Sequence, residues 1–254
     1  MIYIKNADEL KKMRTSGEIL GEILQMLVEQ SKEGISTFQL NTIAEEMMRR
    51  HKVTASFKGY HGYPASICTS INEEIVHGIP HPDRILKAGD LLKLDIGVVF
   101  KGMHSDAGRT VCIGEVTPFA ARLEEITRQS FFQAFKKVRK GVFLNEIGRA
   151  VQTCAESAGL GVVRELVGHG VGRYLHEDPQ IPNYYRPELT MPLKEGMTLA
   201  IEPMLNEGTW KMKTLSDGWT IITADRKLSA YYENTVVVTD GDPMILTYMP
   251  SEKR

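Results

Sequence analysis

The chain has 254 residues, 42% of them hydrophobic and 25% charged, with a formal net charge of −1. That length allows one large domain or two small ones with a sizeable core, and the near-neutral charge argues against a global basic field for nucleic acid or acidic membrane. No apolar run approaches the roughly 18 residues of a membrane span, and the opening MIYIKNADELKKMR has no apolar signal region.

In chain order, NADELKKMRTSGEILGEILQMLVEQ predicts an amphipathic helix. Asn6 is its N-cap with Glu9 three residues on, and Leu10, Met13, Leu20, Leu24 and Leu27 recur at helical spacing. STFQLNTIAEEMMRRH repeats the signal, with Ser36 and Gln39 as its capping box. Three widely spaced cysteines, Cys68, Cys112 and Cys154, without a CxxC motif, argue against a disulfide framework or a thiolate zinc site. They suit a reducing compartment, so the expected location is the cytoplasm. LLKLDIGVVF then reads as a strand, and Lys101-Gly102 as a two-residue hairpin loop. That loop makes Phe100 face Met103 and puts Asp106 opposite Gly97. Asp95 is then diagonal to Asp106 on the same face, within about 7–8 Å. GRTVCIG continues as a strand. TPFAARLEEITRQSFFQAFKKVRK starts a helix with Thr117 as cap and Pro118 at the first helical position. NEIGRAVQTCAESAG is a further helix ending at Gly159. YYRPELTMPLK is the most loop-like stretch, and MTLAIEPM and YYENTVVVT are strands rich in apolar and β-branched residues.

The blocks repeat. LKAGDLLKLD at residues 86–95 matches LKEGMTLAIE at 193–202, an offset of 107, and the same offset carries Gly34-Ile35 onto Gly141-Val142. The chain therefore reads as two related halves of about 110 residues with extra material in the second. Asp95 then corresponds to Glu202, and Glu233 supplies the second half with another strand acid beside Asp106 of the first. Four carboxylates within strands are costly if buried without partners, and when crowded they raise one another's pKa values. No lysine or arginine recurs at equivalent positions to neutralise them. One or two divalent cations would. Taken singly, each acid reads better as an edge or turn carboxylate facing water; only the set of four points to a cation.

The seven histidines sharpen this. His169 lies in ELVGHGVGRYLHEDP between two glycines that allow close backbone approach, with His176 seven residues on. His77 precedes a glycine in NEEIVHGIP. His51, His61, His81 and His104 read as surface or hydrogen-bonded core residues. Four carboxylates and an imidazole form an oxygen-rich set that suits manganese, iron(II), cobalt or zinc better than copper.

GYHGYPASICTSINEEIVHGIP, KLDIGVVFKGMHSDAGRT, GHGVGRYLHEDPQIPN, LAIEPM and DGWTIITADRKLSAYYENT together resemble the type I methionine aminopeptidases over nearly the whole length. The resemblance implies the pseudo-twofold pita-bread α/β fold: a central antiparallel sheet with helices on its outer face. Residues 1–254 would form one catalytic domain of two half-repeats, about 1–115 and 116–245, with no N-terminal extension. It implies two divalent ions (Co, Mn, Fe(II) or Zn) on five ligands, Asp95, Asp106, His169, Glu202 and Glu233. Asp106 and Glu233 would serve both ions, Asp95 one, and His169 with Glu202 the other. Glu202 would also shuttle a proton, while His77 and His176 would hydrogen-bond substrate and steady the tetrahedral intermediate. The methionine pocket would be walled by Tyr60, Tyr63, Cys68 and Trp219, with Phe57 and Leu175 at positions that relatives line differently. Asn234 stands where relatives often have histidine, so these three departures bear on pocket volume and selectivity.

The implied substrates are N-termini of nascent proteins beginning with methionine before a small residue. A monomer near the ribosome is expected, with no nucleic-acid specificity and no membrane partner. Two other readings share the scaffold: an X-Pro aminopeptidase or prolidase, and a binding protein that has lost its metals. The first usually carries a large N-terminal domain, and only 94 residues precede Asp95. The second would be expected to lose ligands, and all five residue types are present in order.

Overall fold

A computed structural model of the chain describes residues 1–252. Four α-helices are formed among them: α1 (Ala7–Gln30), α2 (Thr37–His51), α3 (Pro118–Phe135) and α4 (Asn145–Ser157). The predicted caps are made. The Asn6 side chain accepts the Glu9 N–H and the Glu9 carboxylate accepts the Asn6 N–H, both at 3.0 Å. Ser36 and Gln39 do the same for α2, and Thr117 caps α3 ahead of Pro118. The third helix is shorter than its pattern suggests. After Phe135 the chain turns, burying Val138 while Arg139 and Lys140 reach Asp242 and Asp240.

The strands that build the site are β1 (Thr54–Ala55), β2 (Ile67–Ile71), β3 (Leu91–Phe100), β4 (Met103–Cys112), β5 (Gly168–Gly170), β6 (Glu177–Ile181), β7 (Thr198–Ile201), β8 (Met204–Asn206) and β9 (Ser229–Val237). They belong to an eleven-stranded antiparallel sheet whose main path runs β1-β3-β4-β9-β7-β5-β6. The β3–β4 hairpin has the predicted register: Phe100 pairs with Met103 and Gly97 with Asp106. Lys101 and Gly102 both have positive φ, 48° and 78°, as a hairpin loop of the mirror-image type requires. MTLAIEPM, expected as one strand, is broken. β7 stops at Ile201 and β8 starts at Met204, because Pro203 has no N–H to continue a ladder.

Strand alternation sorts the side chains by face. Leu92, Leu94, Ile96 and Val98 of β3 join Ala107 of β4 in a core with α1 and α2. Leu199 and Ile201 of β7 and Tyr232 and Val236 of β9 join a second core with α3 and α4. The acids occupy the intervening positions and so face away from the helices. Three pairs of backbone hydrogen bonds recur 107 residues apart. Gly34 N–H to Leu86 O (2.9 Å) is matched by Gly141 to Leu193 (2.9 Å), Leu86 to Ile35 by Leu193 to Val142, and Thr37 to Arg84 by Leu144 to Met191. Among the described residues no helix is long and apolar enough to cross a membrane.

Candidate metal centre and active site

Five neighbouring strands bring their polar groups to one point on the face turned away from the helices. Asp95 comes from β3, Asp106 from β4, Glu233 from β9, Glu202 from the break after β7, and His169 from the middle of β5. Ligand atoms of Asp106, His169 and Glu233 all lie within 4.8 Å of one another. His169 Nε2 is 3.5 Å from Glu202 Oε1 and 3.9 Å from Asp106 Oδ2. The glycines flanking His169 have the predicted use. A Cβ on Gly168 would lie 2.5 Å from the Ala200 carbonyl oxygen, and one on Gly170 would lie 2.3 Å from that of Asp178. Strands β7 and β6 can close on β5 only because those atoms are absent.

His169 is prepared as a ligand. Its Nδ1 donates to the Gly170 carbonyl at 2.8 Å, which leaves the Nε2 lone pair aimed at the acids. Burial, with the nearby His176, pushes its pKa down to about 3, so the ring stays neutral. The acids are strained electrostatically. Burial pushes Asp95 up to about 7. Burial and then the charge of Glu233 raise both Asp106 and Glu202, and burial and then Asp95 raise Glu233. The cations on these strands form no ion pair with them, and only Glu233 is eased, by the charge of Arg109, less than burial and Asp95 raise it. Lys93 shares the face of Asp95, but its ammonium bonds the carbonyl oxygens of Asn72 (2.7 Å) and Leu91 (3.3 Å). Arg109 holds Glu252 on the opposite side. Buried Asp95 Oδ1 and Asp106 Oδ1 have no hydrogen-bond partner at all. Unpaired buried oxygens in an oxygen-rich set with one prepared imidazole are what hard or borderline divalent cations require, so the residues fit the metals expected of them.

A cavity of about 310 Å³ joins this cluster to an apolar recess. All thirteen residues expected at the site line it. Phe57, Tyr63, Cys68 and Leu175 are buried, with Tyr60 and Trp219 packed against them. Trp219 meets Tyr63 edge-on at 5.1 Å and His77 at 6.4 Å. Gly97 lets the pocket wall sit on the sheet, since a Cβ there would come within 2.8 Å of the Phe57 ring. His176 is held by the Tyr60 hydroxyl, 2.7 Å from Nδ1, and lies edge-on to His169 at 4.2 Å. Burial lowers the pKa of both His77 and His176, His176 to about 4 with His77 also contributing.

Two lining residues escaped the sequence reading. His61, taken as a surface or core residue, stacks edge-on against Tyr60 at 4.4 Å. Tyr231 sits on β9 two residues before Glu233, and its hydroxyl bonds the Glu233 carboxylate. Gly108 makes room for it: a Cβ there would fall 2.1 Å from the Tyr231 ring. The run of three apolar or aromatic residues from Ala230 to Tyr232 gave no sign of this, although the spacing of two between Tyr231 and Glu233 on a strand could have. Asn234 is not part of the cavity. Its side-chain oxygen accepts from Arg109 (3.0 Å) and Thr247 (2.9 Å) on the helix side, so this departure does not change the pocket.

Residues 11–240 match the model of metallopeptidase family M24. The chain belongs to that family. As an M24 member it is a metal-dependent hydrolase, and its fold is the pita-bread arrangement. It is 48% identical to the methionine aminopeptidase of Clostridium acetobutylicum over 97% of this chain and 99% of that relative. The crystal structure of the methionine aminopeptidase from Thermotoga maritima superposes with a TM-score of 0.96 at 39% identity, covering 98% of this chain and all of the other. The prolidase from Pyrococcus horikoshii, at 22% identity and a TM-score of 0.77, shares the fold, and the match covers only 63% of that longer chain.

Proposed function

We propose that the chain removes the N-terminal methionine from peptides and nascent proteins whose second residue is small. Two divalent ions, from among cobalt, manganese, iron(II) and zinc, would be held by Asp95, Asp106, His169, Glu202 and Glu233. The observation that carries this is one cavity in which buried carboxylates without an ion-pair partner adjoin an apolar recess lined by aromatic side chains. Bound there, the ions supply Lewis acidity for the scissile carbonyl and acidify water toward neutrality.

The protein's own groups do the rest. Phe57, Tyr60, Tyr63, Cys68, Leu175 and Trp219 enclose the methionine side chain, where aromatic neighbours favour sulfur. A carboxylate oxygen of Glu202 takes the proton lost by the attacking water and passes it to the leaving amine. His77 and His176, kept neutral by burial, hydrogen-bond the substrate and stabilise the oxyanion as the carbonyl becomes tetrahedral. We read residues 1–254 as one catalytic domain of half-repeats about 1–115 and 116–245; the hydrogen bonds duplicated 107 residues apart support it. The reading includes a monomeric cytoplasmic enzyme meeting nascent chains near the ribosome, because the substrate is a newly made N-terminus.

Release of free methionine from Met-Ala-Ser tests this, before and after chelation and with each ion added back. Loss on chelation and recovery with metal are expected, and the best restoring ion narrows the cofactor. Silence on Met-Ala-Ser with cleavage of an X-Pro peptide would move the assignment to the prolidase branch.

A further inference from the structure

The connection between β5 and β6, residues 171–176, carries both Leu175 of the pocket wall and His176. The N-terminal arm (residues 1–6) and the first turn of α1 hold it by two ion pairs. The Lys5 ammonium bonds the Glu177 carboxylate, and neither side chain is more than 1% exposed. Glu177 directly follows His176, and its other oxygen accepts the backbone N–H groups of Arg173 at 2.6 Å and Tyr174 at 3.2 Å. One carboxylate thus closes the loop on itself and ties it to the arm. Arg173 Nε also donates to Glu9 Oε1, 2.6 Å away on the first turn of α1. Lys5 is itself fixed, its backbone N–H donating to Gly196 O at 2.9 Å and its ammonium to Tyr3 O at 3.1 Å. Loop and lysine interlock closely: a Cβ on Gly172 would lie 2.3 Å from Lys5 Cε.

Stability alone does not account for this pair, because a well-packed apolar pair in the same space commonly serves as well or better. A fully buried ion pair with its remaining lone pairs filled by backbone N–H groups does something an apolar pair does not. It fixes one geometry in three directions. The other anchor of His176, the Tyr60 hydroxyl, approaches from the opposite wall.

We infer that the Lys5–Glu177 pair is a positioning device for the reaction, holding the 171–176 loop so that His176 faces the reacting centre. This rests on the reading of His176 as a substrate-binding group. Lys5 and Glu177 are positioning residues and touch no substrate.

The experiment is a double-mutant cycle on methionine release from Met-Ala-Ser by the metal-loaded enzyme, using Lys5→Met, His176→Ala and their combination. Lys5→Met should lower kcat about ten- to a hundredfold, the scale of an ångström-sized misplacement, with KM changed less. In the His176→Ala background the same substitution should cost no more than about twofold, because the group it positions is gone. Glu177→Gln keeps an oxygen for the Arg173 and Tyr174 N–H groups and should show the same dependence, which covers failure of Lys5→Met to fold. Lys5→Arg should recover part of kcat. The imidazole NMR signal of His176 should broaden or split in Lys5→Met and Glu177→Gln. Val151→Ala, on the buried face of α4, is the control for simple destabilisation and should leave kcat unchanged despite a lower Tm. Additive losses in the cycle with an unaltered His176 signal would overturn the inference while the wild type still releases methionine. A wild type that releases none would overturn the function and this inference together.

Discussion

The proposed metal centre and the proposed methionine pocket share one cavity but are built differently. Every group of the centre stands on or beside a strand in the middle of the sheet, locked by ladder hydrogen bonds on both sides. The pocket walls come mostly from turns and loops. Tyr60 opens a single 3-10 turn and Tyr63 follows it, Leu175 sits in the 171–176 loop, and Trp219 sits in a bend where Asp217 accepts its N–H and that of Thr220. The division follows from the forces involved. Charges and lone pairs must meet an ion within tenths of an ångström, whereas apolar contact is non-directional and tolerates loop walls. The centre should therefore fail abruptly under substitution and the pocket gradually.

Removing a ligand charge tests the abrupt side. Asp106→Asn or Glu233→Gln should lower kcat/KM for Met-Ala-Ser by about a thousandfold or more, the loss of several kcal/mol of metal-borne stabilisation. Atomic absorption should show bound metal falling in parallel. Full metal content with lost activity would mean that these acids act in another way. His176→Ala comes next. It should cost about a hundredfold in kcat, the scale of one acid–base or oxyanion group, with metal content unchanged. A loss of metal in that variant would place His176 among the ligands.

The same division explains what the sequence disclosed. The β3–β4 register was legible because Lys101-Gly102 is a strong hairpin signal, and a register, once set, fixes which acids share a face. The repeat pointed to Glu202 from Asp95, since an apolar strand ending in an acid is unusual. His169 announced itself through its glycines. The pocket was visible only by resemblance, because a buried aromatic in a recess has the same local pattern as one in the core. Tyr231 was hidden for that reason, and the effect of Asn234 stayed open because residue type says nothing of which face it takes. One stretch misled on physical grounds: MTLAIEPM has strand composition throughout, but Pro203 ends the ladder, which lets Glu202 turn into the site.

On the gradual side, Leu175→Ala should raise KM for Met-Ala-Ser about tenfold while kcat holds, the usual worth of a few methylenes in a specificity pocket. Discrimination against a leucine N-terminus should relax with it. If kcat instead fell a hundredfold with KM unchanged, Leu175 would be positioning the reaction rather than fitting the side chain.

The smallest effect separates the regions without any substrate. In the metal-free protein the Asp95 carboxyl holds its proton to about pH 7, against an ordinary value of 3.8, through burial. Asp106, Glu202 and Glu233 are raised as well, burial first and neighbouring acids second. Between the unfolded and folded values the native state binds protons that the unfolded chain has released. Stability from this source is therefore complete below the unfolded value and lost as pH rises through the folded one. His169, lowered to about 3, opposes this only below its own unfolded value of 6.5, but Lys93, which burial lowers from 10.5 to about 7, opposes it above pH 7, so the range upward from 6.5 isolates the carboxylates only once Lys93 is replaced. Metal-free Lys93→Met protein should lose several degrees of Tm between about pH 6.5 and 8.5, on the scale of a few degrees per kcal/mol for a chain of this size. Saturating metal, which binds the deprotonated acids, should abolish or reverse the slope. Leu175→Ala should shift the whole curve and leave the slope alone, because the pocket adds no charge. A metal-free Lys93→Met protein whose Tm is flat or rising over that range would mean that the four acids are neutralised by another protein cation after all, and the case for metal built on their isolation would fall.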